Sequence, residues 1–319
     1  MDIENSKATS LHTSQHPVPE LQQQESAAAT VSCHTAPVVI VRWLENGSVI
    51  NNEWSVQSLL RRSASGQEYS GKNLKTGDAV SIRLVRIKRS RSSMLGMEMS
   101  LHERLAGNEY IERVHAFGQH DGFYYFVGEH LGPTLAELCS ANPRKKFSDM
   151  TVFLIGIRMV EAVKSLHENG FVHRNVKPSN FAVGSSPDTN GEVHLPRRTT
   201  NYKGDSTFAS ADCLLRRESG RKDDLWSVLY IMIKMSVGRL PWDSVVGTAE
   251  VARLKETISS TDLLMGCPNE LDHIRKHVSS LNFFSRPDYD GMIKILDDGL
   301  LRRGGSRDSK LDWEIATDQ

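Results

Sequence analysis

The sequence predicts an α+β protein, mostly sheet in its first half and largely helical in its second. Three observations carry that expectation. The chain has 319 residues, enough for one large domain or for two lobes around a cleft, with a sizeable buried core. Short strand-like runs separated by turn residues fill its first half. From Ser148 onward the apolar residues recur at helical spacing instead.

Residues 1–36 are rich in Ser, Thr, Gln, His and Ala, including Gln22-Gln23-Gln24. Such a segment cannot bury enough apolar area to offset the entropy of ordering its backbone, so a disordered tail is expected. His12, His16 and His34 within it have no metal-ligand spacing. At Pro37 the texture changes. Val38-Val39-Ile40-Val41-Arg42-Trp43 is β-rich and Asn46-Gly47 supplies a tight hairpin turn, so residues 37–52 read as an N-terminal extension with a hairpin. Strand-like runs follow at Trp54–Leu60, Glu68–Leu74 and Ala79–Val85, the last two joined by Lys75-Thr76-Gly77-Asp78. Met94–Leu105 has helical character, and Val114–Gln119 and Phe123–Glu129 flank an Asp121-Gly122 turn.

The helical half opens with Ser148 as N-cap, apolar Val152, Ile155, Met159, Val163 and Leu166, and Gly170 as the stop. Asp224–Val237 is apolar nearly all round, the pattern of a helix buried inside a lobe, and Gly238 and Pro241 end it. Thr248–Ser259, Leu271–Leu281 and Tyr289–Leu301 add further helices. No internal repeat is visible.

Lys and Arg number 39 and Asp and Glu 39. Without a net field, neither nucleic acid nor an anionic membrane is expected as a partner, which leaves proteins. Cys33, Cys139, Cys213 and Cys267 lie too far apart in sequence for a zinc or redox motif. The N-terminus lacks a secretory pattern, and the longest apolar stretch, Leu225–Val237, contains Lys234 and is shorter than the roughly 20 residues of a membrane span. A soluble, reduced, cytoplasmic protein follows. The basic run Arg83, Arg86, Lys88, Arg89 and Arg91 reads as a solvated loop, with a nuclear address or a patch for an acidic partner as the alternatives. No heptad seam appears, so a monomer is expected.

The chemistry is concentrated in Phe171-Val172-His173-Arg174-Asn175-Val176-Lys177-Pro178-Ser179-Asn180-Phe181, directly after the first long helix. This segment resembles the catalytic loop of eukaryotic protein kinases, H-R-D-x-K-x-x-N. Leu131-Gly132-Pro133-Thr134-Leu135, Gly220-Arg221-Lys222-Asp223-Asp224-Leu225-Trp226-Ser227 and Leu240-Pro241-Trp242 are similar to the casein kinase 1 superfamily. Phe284-Ser285-Arg286-Pro287-Asp288-Tyr289 and Leu311-Asp312-Trp313-Glu314 point to its tau-tubulin kinase branch. The resemblance covers roughly Glu53 to Glu314. It implies a kinase-like domain over 53–315, with an N-lobe of 53–130, a C-lobe of 131–315, and ATP with magnesium between them.

Residue by residue, the resemblance implies an impaired site. The catalytic base position holds Asn175, which can orient a hydroxyl or cap the loop but cannot take a proton, although Lys177 is retained. Pro196-Arg197-Arg198 stand where the metal-binding Asp-Phe-Gly belongs. That leaves Asn180 as the remaining magnesium ligand, with Asp188, Glu192 or Asp205 as substitutes from the same loop. The glycines over the phosphates correspond to Arg61, Ser63 and Gly66; Arg61 and Arg62 either turn into solvent or hold phosphate through their side chains. The strand lysine is Arg83, whose expected partner is Glu98, as a structural bridge or as a nucleotide contact. Gly66, Arg83, Glu98 and Asn180 are thus the candidate ATP-pocket residues. Gly128, at a position the family fills with Met, is expected to enlarge that pocket, and Thr207 replaces an anion-binding Arg. The framework residues His173, Arg174 and Asp224 are all present. A pseudokinase acting as a protein-binding or scaffolding module in signalling is the expectation, with a weak or atypical serine/threonine kinase, or a domain using ATP as a structural ligand, as alternatives.

Overall fold

The structure is a computed structural model that describes residues 42–62, 66–87, 100–184, 193–194 and 206–317. The expected tail, Val38–Val41, Ser63, Lys88, Arg89, Arg91, Glu98, Asp188, Glu192, Pro196–Arg198 and Asp205 lie outside those residues, as does Met94–Leu105 apart from 100–105.

The described chain is α+β, sheet first and helices after. One antiparallel sheet of six strands is formed by β1 (Val49–Ile50), β2 (Trp54–Arg62), β3 (Gln67–Asn73), β4 (Ala79–Arg86), β5 (Val114–His120) and β6 (Phe123–Glu129), in the order β1-β2-β3-β4-β6-β5. Turn chemistry fixes the register. The Asn73 side chain accepts from the Lys75 amide at 2.8 Å, and Gly77 takes a positive φ of 86°, which closes the β3–β4 turn. At the β5–β6 turn Asp121 and Gly122 both have positive φ, as a tight hairpin requires.

The N-terminal hairpin differs from the sequence expectation. Arg42 and Trp43 form no strand, and the reversal into β2 occurs at Asn51 and Asn52, with φ of 50° and 53°. Asn46-Gly47 does turn, but the Gly47 amide then bonds the Val56 carbonyl at 2.8 Å, so the turn feeds the edge of β2 and not an earlier strand. Val80, Ile82 and Leu84 of β4 are buried, while Leu59 and Leu60 near the end of β2 are exposed. The sheet is therefore well anchored at its centre and open toward the cleft.

The helical lobe is organised by two helices. Asp149–Glu168 starts at Ser148, whose hydroxyl accepts the Thr151 amide at 3.2 Å, and stops at Asn169 with Gly170 at φ 83°. Arg221–Val237 lies across it with Leu225, Val228, Leu229, Ile231, Met232 and Ile233 buried, and a left-handed Gly238 ends it. Each such side chain contributes about 1.5–3 kcal/mol on burial, so this crossing carries much of the burial that holds the helical lobe together. Helices Glu270–Ser280 and Tyr289–Arg302 complete the core. The C-terminal segment is tied back to the first helix: Asp312 accepts from the Ser148 amide at 2.7 Å and from its hydroxyl at 2.6 Å.

Candidate functional site

The loop after Gly170 is positioned by Asp224, which the chain places in the first turn of the buried helix. Asp224 is 1% exposed and accepts the backbone amides of His173 at 2.7 Å and Arg174 at 2.8 Å. Arg174 has a φ of 62°, a costly conformation for a residue with a Cβ, and its amide bond to Asp224 holds it there. The framework contact thus runs through the backbone of His173 and Arg174; the Arg174 side chain is exposed.

A third partner is not legible in the motif. His167, at the end of the first long helix, puts Nε2 2.9 Å from Asp224 and Nδ1 2.7 Å from the Tyr289 hydroxyl. With Nε2–H donating to the carboxylate and Nδ1 accepting from the phenol, both ring nitrogens are satisfied. Burial pushes the Tyr289 phenol upward, so it stays a donor at neutral pH.

Asn175 donates its amide to His173 Nδ1 at 3.2 Å, and its carbonyl accepts from Asn180 Nδ2 at 2.8 Å. Lys177 leads into a short 3-10 turn, Pro178–Asn180. Above this loop lies a cleft of about 350 Å³. Its helical side is Lys177, Ser179, Asn180 and Ala182, its sheet side Arg61, Gly66, Glu68, Ser81, Arg83 and Val85, and Glu129–Gly132 closes the back.

The sequence matches the protein kinase domain over residues 54–284. The chain belongs to the protein kinase family. Its relatives include a probable serine/threonine-protein kinase of Dictyostelium discoideum, 30% identical over 289 residues that make up 85% of this chain and 58% of the relative. Casein kinase I homolog 2 of Schizosaccharomyces pombe is 27% identical over 85% of this chain and 68% of its own length. An inactive tau-tubulin kinase of Caenorhabditis elegans is 30% identical over 64% of this chain and 80% of its own length. This kinase domain is thus homologous to casein kinase I and to a tau-tubulin kinase, and it spans little more than half the length of the Dictyostelium relative.

Within this kinase domain the candidate nucleotide and metal residues have specific neighbours. Arg83 points its guanidinium at the Phe126 ring, 4.4 Å from the centroid, and lies opposite Glu68 in the β3–β4 register. Gly66 is packed so closely on Leu84 that a Cβ there would strike the Leu84 carbonyl. Gly128 does not line the cleft: the Glu112 carboxylate group lies against its Cα, so the missing side chain enlarges nothing.

Of the expected magnesium ligands and their substitutes, only Asn180 is among the described residues. Mg²⁺ needs an octahedron of oxygens, usually with one or two carboxylates. Asn180 donates its amide nitrogen to the Asn175 carbonyl, which leaves Oδ1 as its ligand atom, and among the described residues no group of three His, Cys, Asp or Glu side chains converges. The roof carries a carboxylate: Glu68, 9% exposed, lines the cleft and accepts from the Ser81 hydroxyl at 2.7 Å. Glu68 stands two residues beyond Gly66, where G-x-G-x-x-G-x-V has valine, and Ser81 stands at the alanine of V-A-I-K. Counting on from Gly66 finds the first in the sequence, and the Val80-Ser81-Ile82-Arg83 motif the second.

Two other groups complete the surroundings. Lys255, 9% exposed, donates Nζ to the carbonyls of Ser206, Thr207 and Ala209 at 2.7, 2.9 and 2.6 Å, and sits over the Tyr230 and Trp242 rings. This cation holds the chain beside Thr207 in place. Cys139, on the short helix Leu135–Ala141, has its thiol pushed up to about 11 by burial, with Lys234 opposing, so it is no nucleophile at neutral pH.

Proposed function

We propose that this kinase domain is a pseudokinase: it has given up phosphoryl transfer and serves as a protein-binding or scaffolding module in intracellular signalling. The observation that carries the reading is the amide at position 175, in a loop otherwise kept in its kinase form by Asp224. An amide has no basicity for the acceptor hydroxyl, and a positioned general base is worth roughly 10²–10⁴ in rate. Pro196-Arg197-Arg198, at the position of the metal-binding Asp-Phe-Gly, adds a second impediment, since phosphoryl transfer depends on metal ions that neutralise charge on the phosphates.

The partners in this reading are proteins, met by a monomer in the cytoplasm or nucleus. The chain carries no net charge to draw it to nucleic acid. Among the described residues no helix is long and apolar enough to cross a membrane.

The test is transfer of labelled phosphate from ATP, with Mg²⁺ and with Mn²⁺, to an acidic protein substrate. The unmodified protein and Asn175→Asp are both expected at background, because restoring the base leaves the nucleotide and metal groups unrestored. Turnover by the unmodified protein would establish the alternative, a weak serine/threonine kinase using Lys177 and Asn180.

A further inference from the structure

We infer that Glu68, held by Ser81 and Arg61, is the residue that closes the cleft to adenine nucleotides. The inference deepens the proposed loss of phosphoryl transfer and rests on that reading: it names the group by which the cleft refuses the phosphate donor.

Glu68 belongs to β3 and Ser81 to β4, and the Ser81 hydroxyl donates to Glu68 Oε1 at 2.7 Å. The other carboxylate oxygen faces Arg61 Nη1 at 3.8 Å. Arg61 reaches on to the helical lobe, donating Nη2 to Glu137 at 3.2 Å. A buried carboxylate needs a hydrogen-bond donor, which Ser81 supplies, and Arg61 at 3.8 Å adds a looser opposite charge, so the arrangement is self-consistent without any ligand. A nucleotide reverses that. The flat, apolar face of a base would have to pack where a desolvated carboxylate stands, and the polyphosphate would bring several negative charges near another one in a region of reduced dielectric. The ion pair from Arg61 to Glu137 is exposed and screened, at 39% and 50% side-chain exposure, so the exclusion resides in Glu68 and not in the arginine.

The experiment titrates the full chain with ATP, ADP and adenosine, read by thermal shift and by calorimetry. The unmodified protein, Glu68→Gln, the double variant Glu68→Val with Ser81→Ala, and Arg61→Ala are compared. Expected are no response of the unmodified protein or of Arg61→Ala at millimolar ligand, and affinities for ATP and adenosine at least about tenfold tighter in the double variant. Glu68→Gln removes the charge with little change of shape, so it reports if the double variant does not fold, and a gain for ATP larger than for adenosine is expected of it. The inference is overturned if the unmodified protein binds ATP as tightly as the double variant, if folded Glu68 variants gain nothing, or if Arg61→Ala alone produces the gain. ATP binding by the unmodified protein as tight as that of the double variant, without turnover, would sink this inference alone. Turnover would sink the functional reading as well.

Discussion

The loop anchored on Asp224 and the roof built on β3 and β4 face each other across one cleft, yet their polar groups are of different kinds. At Asp224 the partners are two backbone amides and a buried imidazole, all on elements fixed by the core of the helical lobe. At Glu68 they include a serine hydroxyl and a guanidinium that is 39% exposed. The first set places the backbone of a loop whatever that loop's side chains do. The second decides what enters the cleft. A protein can therefore lose the chemistry of its cleft and retain the fold, because different residues carry the two.

The strongest way to break this comparison is to remove the anchor. Asp224→Ala leaves two amides and the His167 ring without their acceptor in a site that is 1% exposed. A loss of about 3–5 kcal/mol in unfolding free energy is expected from urea denaturation, the scale of stripping one partner from a buried charged network. A loss below about 1 kcal/mol would mean that the loop is held by something other than Asp224.

A smaller effect sharpens the comparison by placing the acid sensitivity. Glu270, on the helical lobe, accepts from Arg302 at 2.7 Å and from Arg303 at 2.9 Å, and Arg303 also pairs with Asp149 at 2.9 Å. Burial pushes the Glu270 carboxyl up, but the two arginines outweigh it and bring it to about 2 from 4.5. A carboxyl held lower in the folded state stabilises the fold above its unfolded value and loses that contribution as pH falls through the folded one. The window therefore runs from about 4.5 down to about 2, and the contribution lost across it is about 3 kcal/mol, of which about 2 is gone by pH 3. Unfolding midpoints measured at pH 6 and pH 3 should fall steeply for the unmodified protein and less for Glu270→Gln. Equal slopes would remove Glu270 from the account.

Much of this architecture is legible in the amino-acid sequence, for reasons tied to particular residues. The alternation of short strands and turns yields the sheet, and the all-round apolar run after Asp224 yields the buried helix, since both patterns follow from which side chains must leave water. The loop from His173 to Asn180 is legible because its spacing is set by chemistry. The Asn46-Gly47 pair misleads: it makes a turn, but Asn51 and Asn52 take the left-handed conformations that reverse the chain into β2. His167 and Tyr289 stay hidden because their link to Asp224 spans helices far apart in sequence. The expected consequence of Gly128 fails because the filling group, Glu112, comes from a different segment.

The smallest expected effect concerns Arg61, which touches both walls. Its bond to Glu137 joins two exposed side chains, and Glu137 does not depend on it. The Glu137 carboxylate also accepts the Thr134 amide at 2.7 Å and the Thr134 hydroxyl at 2.8 Å, as the acidic member of a capping box. Its carboxyl lies below the usual range: burial pushes it up, and the Thr134 bonds with Arg61 outweigh that. Arg61→Ala should then cost about 0.2–1 kcal/mol in low salt and less in high salt, read from urea unfolding at the two ionic strengths. A cost above about 2 kcal/mol, insensitive to salt, would show that Arg61 anchors the sheet side as firmly as Asp224 anchors the loop. The division between a wall that holds the fold and a wall that selects the ligand would then fail at the residue where the two meet.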